Sequence, residues 1–317
     1  MITLDEVYRA KKIIRRHLQP TPLVYSRRLS RELEADVYLK LENLNPTHSF
    51  KVRGGIYYMS VMHERLRGVA TASMGNHAQS VAYAGGVFDL ATVVVMPSWV
   101  SEVKRRAVEE LGARVIIHGS YYDEAAEYAQ KYAEENGLTY LDAVNEEKLY
   151  RGVATMHLEV VEALPDVDVV VNPVGGGSGA VGAVAVYKTV NPSVRVYGVQ
   201  AEGAQAFYQS FKLGKPLATD GVNTRAEGLA VAKTYEKPFS LLKDRLDDVV
   251  LVSDEDMEKA VVKLLQYDRQ VAELAGAAST AAAYKLADRF RGRKVVLNVT
   301  GGNIDPRHLA QLVSRHY

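Results

Sequence analysis

The sequence predicts an α/β protein built from two open, mostly parallel twisted sheets with helices on both faces. Three observations predict it. Runs of β-branched apolar residues recur along the chain without strict alternation, as in strands buried on both faces. Segments of helical pattern separate those runs, which calls for parallel sheets under helical cover. The chain has 317 residues, above the ~250–300 at which a single core stops growing, so the strands divide between two domains.

Taken in order, Thr3 and Glu6 form a capping box for an amphipathic helix running to about residue 18. Pro20-Thr21-Pro22 ends it, and residues 36–41 read as a short strand. Ser49 is placed to cap a helix reaching about residue 66. Strands at 69–72, 91–96, 114–118 and 138–141 then alternate with helices at 76–84, 101–111 and 122–135, and Gly112 supplies a helix C-terminus. The alternation restarts with a strand at 167–172, a helix at 178–190, a strand at 194–199 and a helix at 202–213. Residues 214–248 look irregular and contain Lys215-Pro216 and Lys237-Pro238. A strand at 249–252, a helix from Ser253, a small-residue helix at 276–286, a strand at 294–299 and a helix after Pro306 complete the chain. Boundaries near 65 and 145 isolate a βαβαβα unit. The expected organisation is a small domain of residues 65–145 and a large one formed by 1–64 and 146–317.

Composition narrows the function. Net charge is +1, with 39 basic and 38 acidic residues, which gives nucleic acid and anionic membrane no electrostatic handle. The chain has no cysteine. Disulfides, zinc–thiolate sites and cysteine nucleophiles are excluded, and a reducing, cytoplasmic location is expected. The first residues carry no basic region followed by an apolar run, so no signal peptide is expected. Residues 169–187 are uncharged, but Asn172, Pro173 and five glycines interrupt them, and a core strand–loop–helix explains them better than a membrane span.

Three junctions carry the chemistry. Pro173-Val174-Gly175-Gly176-Gly177-Ser178-Gly179 follows a buried strand and opens a helix. Glycines there let backbone N–H groups face a phosphate at the positive end of the helix. Gly177, Gly179 and Gly182 also satisfy G-x-G-x-x-G, with Glu202 beyond the next strand, so a dinucleotide oxidoreductase competes on local pattern. Ser73-Met74-Gly75-Asn76-His77 forms a second strand–helix junction, suited to helix capping or to holding a carboxylate and a phenolic oxygen. Thr300-Gly301-Gly302-Asn303 ends the last strand, where a hydroxyl can face a ligand or make a local turn. Lys51 sits between Phe50 and Val52 at a helix start. Such a lysine loses hydration, its pKa falls, and its amine becomes a nucleophile suited to a Schiff base with an aldehyde cofactor. The dinucleotide reading gives Lys51 no task. The eight histidines show no metal spacing, and no G-x-S-x-G elbow occurs. A non-catalytic amino-acid-binding protein is the remaining alternative, against which the intact lysine argues.

Together the segments resemble the fold-type II pyridoxal-phosphate enzymes, specifically the threonine/serine dehydratase and serine racemase group. The motifs that carry the resemblance are Lys40-Leu41-Glu42-Asn43-Leu44, Ser49-Phe50-Lys51-Val52-Arg53-Gly54, Ser73-x-Gly75-Asn76-His77-Ala78-Gln79 and Val174-Gly175-Gly176-Gly177. Ala226-Glu227-Gly228-Leu229-Ala230-Val231, Glu273-x-Ala275-Gly276-Ala277 and Thr300-Gly301-Gly302-Asn303 follow in family order.

The resemblance implies pyridoxal 5'-phosphate as cofactor, the large domain as its binding domain and a mobile small domain. Lys51 would carry the Schiff base, and Gly175, Gly176, Gly177 and Ser178 would cradle the phosphate. Phe50 would lie against the ring, Asn76 would contact its hydroxyl, and Thr300 would face its nitrogen. Ser73, Met74, Gly75, Asn76 and His77 would bind the substrate carboxylate. The implied reaction deaminates L-threonine and/or L-serine to a 2-oxo acid and ammonia in a homo-oligomer, with an amino-acid racemase as the alternative on the same scaffold. Met74 stands where racemases use a serine as second base, and methionine cannot move a proton. His48 and Ser178 stand where glycines are usual. Gln200 stands where the racemase branch has an acidic cation ligand, so no metal is expected. No counterpart of the regulatory domain of biosynthetic threonine deaminases is expected after Tyr317.

Overall fold

The computed structural model describes residues 2–317. The chain begins with α1 (Leu4–Ile14), β1 (Leu23–Tyr25), α2 (Arg27–Leu33), β2 (Asp36–Leu41) and α3 (Lys51–Met62). It continues through β3 (Gly68–Ala72), α4 (Asn76–Val87), β4 (Ala91–Met96), α5 (Glu102–Glu109), β5 (Arg114–Ile117), α6 (Tyr122–Glu135) and β6 (Thr139–Tyr140). Then come α7 (Glu147–Ala163), β7 (Val169–Pro173), α8 (Ser178–Val190), β8 (Arg195–Ala201), α9 (Ala206–Leu213), α10 (Glu236–Leu242) and β9 (Asp248–Val252). The last elements are α11 (Asp254–Asp268), α12 (Leu274–Lys285), α13 (Ala287–Phe290), β10 (Lys294–Val299) and α14 (Pro306–His316).

Ten strands form two sheets. The six-stranded sheet has the order β1-β2-β10-β7-β8-β9 and the four-stranded sheet the order β5-β4-β3-β6. Every pairing is parallel except β1 with β2. The pleat explains the non-alternating apolar runs. In β10, Val295, Leu297 and Val299 pack into one core with α11 and α12, while Val296 packs into the other with α8. Both faces are buried, as the sequence predicts.

The capping box at Thr3 forms, and the helix expected from Ser253 opens with one as well, closed by Asp256. Other elements differ from expectation. α1 ends at Ile14, and residues 63–65 make a separate 3-10 turn after α3. Phe50, not Ser49, is the N-cap of α3, with no side-chain cap bond. The Ser49 hydroxyl instead accepts from the Lys51 N–H. The sequence reading omits β1, α2, α7, α10 and α13. Pro238 in α10 lies in the first turn, where a missing N–H costs nothing.

β7 and β10 are neighbours, and β8 lies on one side of the pair and β2 on the other. This reversal of strand order creates a crevice at the strands' C-terminal ends, the place where open α/β sheets bind ligands.

Candidate active site

The glycine loop leaves β7 at Pro173 and enters α8 at Ser178. Gly177 adopts φ +98°, a left-handed conformation that glycine tolerates. A Cβ on Gly175 would collide with the Gly228 carbonyl, and one on Gly176 or Gly177 would approach Val144 Cγ2 at 2.9 Å or Pro238 Cβ at 2.8 Å. The loop is therefore packed against the Gly228 backbone and the Val144 and Pro238 side chains, which leaves no room for side chains on its glycines. The first N–H groups of α8 have no intrahelical acceptors.

Lys51 reaches this helix start. Its Nζ donates to Ser178 Oγ at 3.1 Å and lies 5.1 Å from the centre of the Phe50 ring. Burial lowers its pKa from 10.5 to about 8. The lysine segment is fixed to the end of β10: Ser49 bridges Gly301, the Phe50 N–H donates to the Thr300 carbonyl at 3.1 Å, and the Gly302 N–H donates to the His48 carbonyl at 2.9 Å. Thr300 is buried, and its hydroxyl donates to the Ala275 carbonyl at 3.4 Å. His48 has φ +52°, the region that explains why glycine suits its position.

From β3, Ser73 caps the start of α4, its Oγ accepting from the Gly75 and Ala78 N–H groups at 3.3 and 3.2 Å. Asn76 donates to Glu273 Oε1 at 2.7 Å and accepts from Asn303 Nδ2 at 2.7 Å. This links α4 to the loop before α12 and to the end of β10. His77 is buried, with Nε2 3.2 Å from Thr71 Oγ1, whose own hydroxyl donates to the Leu141 carbonyl. Burial, and then the field of Lys51, lower the His77 pKa to about 3. Met74 and Gly75 are half-buried at the same junction. The structure thus gathers Phe50, Lys51, Ser178 and Thr300 through direct contacts, and ties Asn76 to the same segment through Asn303, which donates to the Thr47 carbonyl at 2.9 Å. Glu273 and Asn303 were not among the residues the sequence assigned to the site, although both stand in motifs it singled out. Gly228 backs the glycine loop from another such motif.

Beneath α3 lies a buried ionic cluster. Arg53 donates to Glu42 through Nε at 2.7 Å and to Glu159 through Nη2 at 2.8 Å, while Lys40 Nζ donates to Glu159 at 2.6 Å. Burial pushes Glu42 up, but Arg53 and Lys40 outweigh it and hold the carboxylate ionised.

The profile of the pyridoxal-phosphate dependent enzymes matches residues 14–301. The chain belongs to that family. This pyridoxal-phosphate dependent enzyme is 38% identical over 99% of its length to an L-threonine ammonia-lyase of Thermotoga maritima, of which the match covers 79%. Its fold is similar to a processed threonine deaminase isoform 2 from Solanum lycopersicum, with a TM-score of 0.90, 30% identity, and coverage of 99% and 94% of the two chains. It is also similar to maize serine racemase, with a TM-score of 0.92, 26% identity and coverage of 99% and 97%.

The residues of this enzyme fit its cofactor. A desolvated amine stands 3.1 Å from the first hydroxyl of a helix, and that helix begins at a glycine turn too closely packed against Gly228, Val144 and Pro238 to carry side chains, so its backbone is what a phosphate would meet. The family match decides against the competing dinucleotide pattern. A Cβ on Gly182 would press on Ala154 of α7 at 2.9 Å, and Glu202 pairs with Lys285 at 3.0 Å. Gln200 is buried, its amide donating to the Val174 carbonyl and its oxygen accepting from the Tyr208 N–H. Among the described residues, no cluster of three or more acidic or histidine side chains could hold a metal ion, and no helix is long and apolar enough to cross a membrane.

Proposed function

We propose that this enzyme deaminates L-threonine, and L-serine by the same route, to the corresponding 2-oxo acid and ammonia. The observation that carries the reading is the desolvated amine of Lys51, hydrogen-bonded to Ser178 at the N-terminus of α8 and with no carboxylate acting on its pKa. When bound, the cofactor supplies the electron sink for loss of the substrate Cα proton. The Gly175–Gly177 N–H groups and the Ser178 hydroxyl bind its phosphate, and Phe50 packs against its ring. Asn76 donates to the ring oxygen. Thr300 offers the ring nitrogen a neutral hydroxyl, which does not hold it protonated as a carboxylate would. Lys51 takes the Cα proton as a neutral base. The N–H groups of residues 74, 76 and 77 receive the substrate carboxylate, those of Ser73 and Gly75 being bonded to the Val95 carbonyl and the Ser73 hydroxyl. His77 serves through its backbone, because its neutral imidazole is committed to Thr71.

Residues 65–145 form a small mobile domain that closes over the site, a reading supported by the ion pair of Lys104 in α5 with Glu227 beside the glycine cradle. The enzyme is a cytoplasmic homo-oligomer, which the cysteine-free composition and the family resemblance support. Light scattering on purified protein tests the assembly. The decisive assay supplies the holoenzyme with each of L-threonine, L-serine and their enantiomers. Release of 2-oxo acid from the L-forms supports the lyase. Interconversion of enantiomers without it would replace this reading with the racemase.

A further inference from the structure

Asn76 is held from both sides, and the polarity of that grip is forced. Asn303 Nδ2 donates to the Thr47 carbonyl at 2.9 Å and to Asn76 Oδ1 at 2.7 Å. A main-chain carbonyl can only accept, so the Asn303 nitrogen must face Thr47. The oxygen of Asn76 must then face Asn303, and its nitrogen must face Glu273, where Oε1 accepts at 2.7 Å. One backbone carbonyl in the segment leading to Lys51 therefore decides which way the Asn76 amide is turned.

Gly301 makes room for this arrangement. A Cβ there would collide with Glu273 Oε1 and come within 3.3 Å of Asn76 Nδ2. Glu273 is anchored by its own N–H, which donates to the Gly301 carbonyl at 3.1 Å. Burial raises the Glu273 pKa to about 7, against the opposing bond from Asn76; Glu227 adds to the rise and Lys104 opposes it. Either protonation state leaves Oε1 able to accept.

We propose that Glu273 and Asn303 are positioning residues that fix the Asn76 amide so that its second Nδ2–H is the one donor it presents to the cofactor's ring oxygen. The inference rests on the assignment of Asn76 to that oxygen. A flipped amide would turn a carbonyl oxygen toward an oxygen that carries negative charge. The two partners prevent that flip, and neither touches the cofactor.

The test measures pyridoxal-phosphate affinity of the apoprotein and the pH titration of the holoprotein's visible absorption, with apoprotein melting as the folding control. Glu273→Ala should weaken cofactor binding about tenfold and shift the absorption titration. Glu273→Gln, which keeps an acceptor, should stay within about threefold of wild type. Asn76→Ala should match Glu273→Ala, and the double variant should be no worse than Asn76→Ala alone, because one residue acts through the other. If Glu273→Ala does not fold, Asn303→Ala cuts the other end of the same chain and is read in the same way. Unchanged affinity and absorption in the folded Glu273 or Asn303 variant, with both altered in Asn76→Ala, overturns the inference alone. So do multiplicative effects in the double variant. If Asn76→Ala itself changes neither, the assignment of Asn76 falls and the inference with it.

Discussion

Lys51 offers the sharpest quantitative test, because burial is the one cause of its lowered pKa. With a pKa of about 8, roughly 9% of the amine is neutral at pH 7, against about 0.03% for an amine at 10.5, a ~300-fold gain in nucleophile. Trace acylation of the apoprotein, quantified by mass spectrometry against a lysine peptide in the same tube, reads this directly. Lys51 modification should rise with a midpoint near pH 8 and level off, while the peptide continues upward past pH ~10. Ser178→Ala should leave the midpoint in place, since the hydroxyl carries no charge. A Lys51 midpoint that follows the peptide would refute the argument that burial activates the amine.

Stability supplies a second reading of the same shift. A lysine depressed from 10.5 to about 8 binds fewer protons folded than unfolded across that window. Below pH 8 both states are protonated and burying the cation is a standing cost. Between the two values apoprotein stability rises with pH, by about 3 kcal/mol in all. Lys51→Met removes the cost, so its advantage over wild type in urea unfolding should be largest at pH 7 and fade toward pH ~10.5. A difference that is flat with pH contradicts the shift.

Gly175→Ala should weaken cofactor retention at least ~10-fold, because its Cβ meets the backbone of Gly228; equilibrium dialysis measures it. Arg53→Met leaves Glu42 and Glu159 with Lys40 as their remaining cation, and should cost about 3–5 kcal/mol in urea unfolding. His48→Gly removes a side chain from φ +52° and should stabilise the apoprotein by about 1 kcal/mol in the same experiment. Met74→Ser should raise racemase side activity by supplying a hydroxyl opposite the lysine; chiral chromatography of recovered amino acid would reveal no change if the second-base argument is mistaken.

Local patterns made the parallel sheets and the glycine loop legible. A strand, four glycines in five residues and a helix can be recognised without knowing their neighbours. The helix α7 was readable in principle, since Leu149, Val153, Met156 and Val160 recur at helical spacing and are all buried, but its start lacks the glycine or proline punctuation that marked its neighbours. Its Gly152 lies where α3 crosses, with no space for a Cβ before the Arg53 carbonyl. The bond between Lys51 and Ser178 spans 127 positions and that between Asn76 and Glu273 spans 197. No local spacing encodes such contacts. Glu273 could be seen as part of a motif, but its task depends on a partner brought by the tertiary fold.

Helix α3 explains why one side of it must be charged and the other not. Arg53 turns toward Glu42 and Glu159, where pairing keeps buried charges ionised. Lys51 turns toward Ser178 and lacks any carboxylate among the causes acting on its pKa. A carboxylate within reach would hold the amine protonated and remove its nucleophilicity. The nearby acid, Glu273, is instead buried, raised to about 7 and engaged with Asn76, and His77 is kept neutral. The ionic cluster can therefore fix the helix that carries the lysine while the site around the amine stays nearly uncharged, and under the proposed assignment the cofactor's phosphate would rely on backbone N–H dipoles rather than on a competing cation.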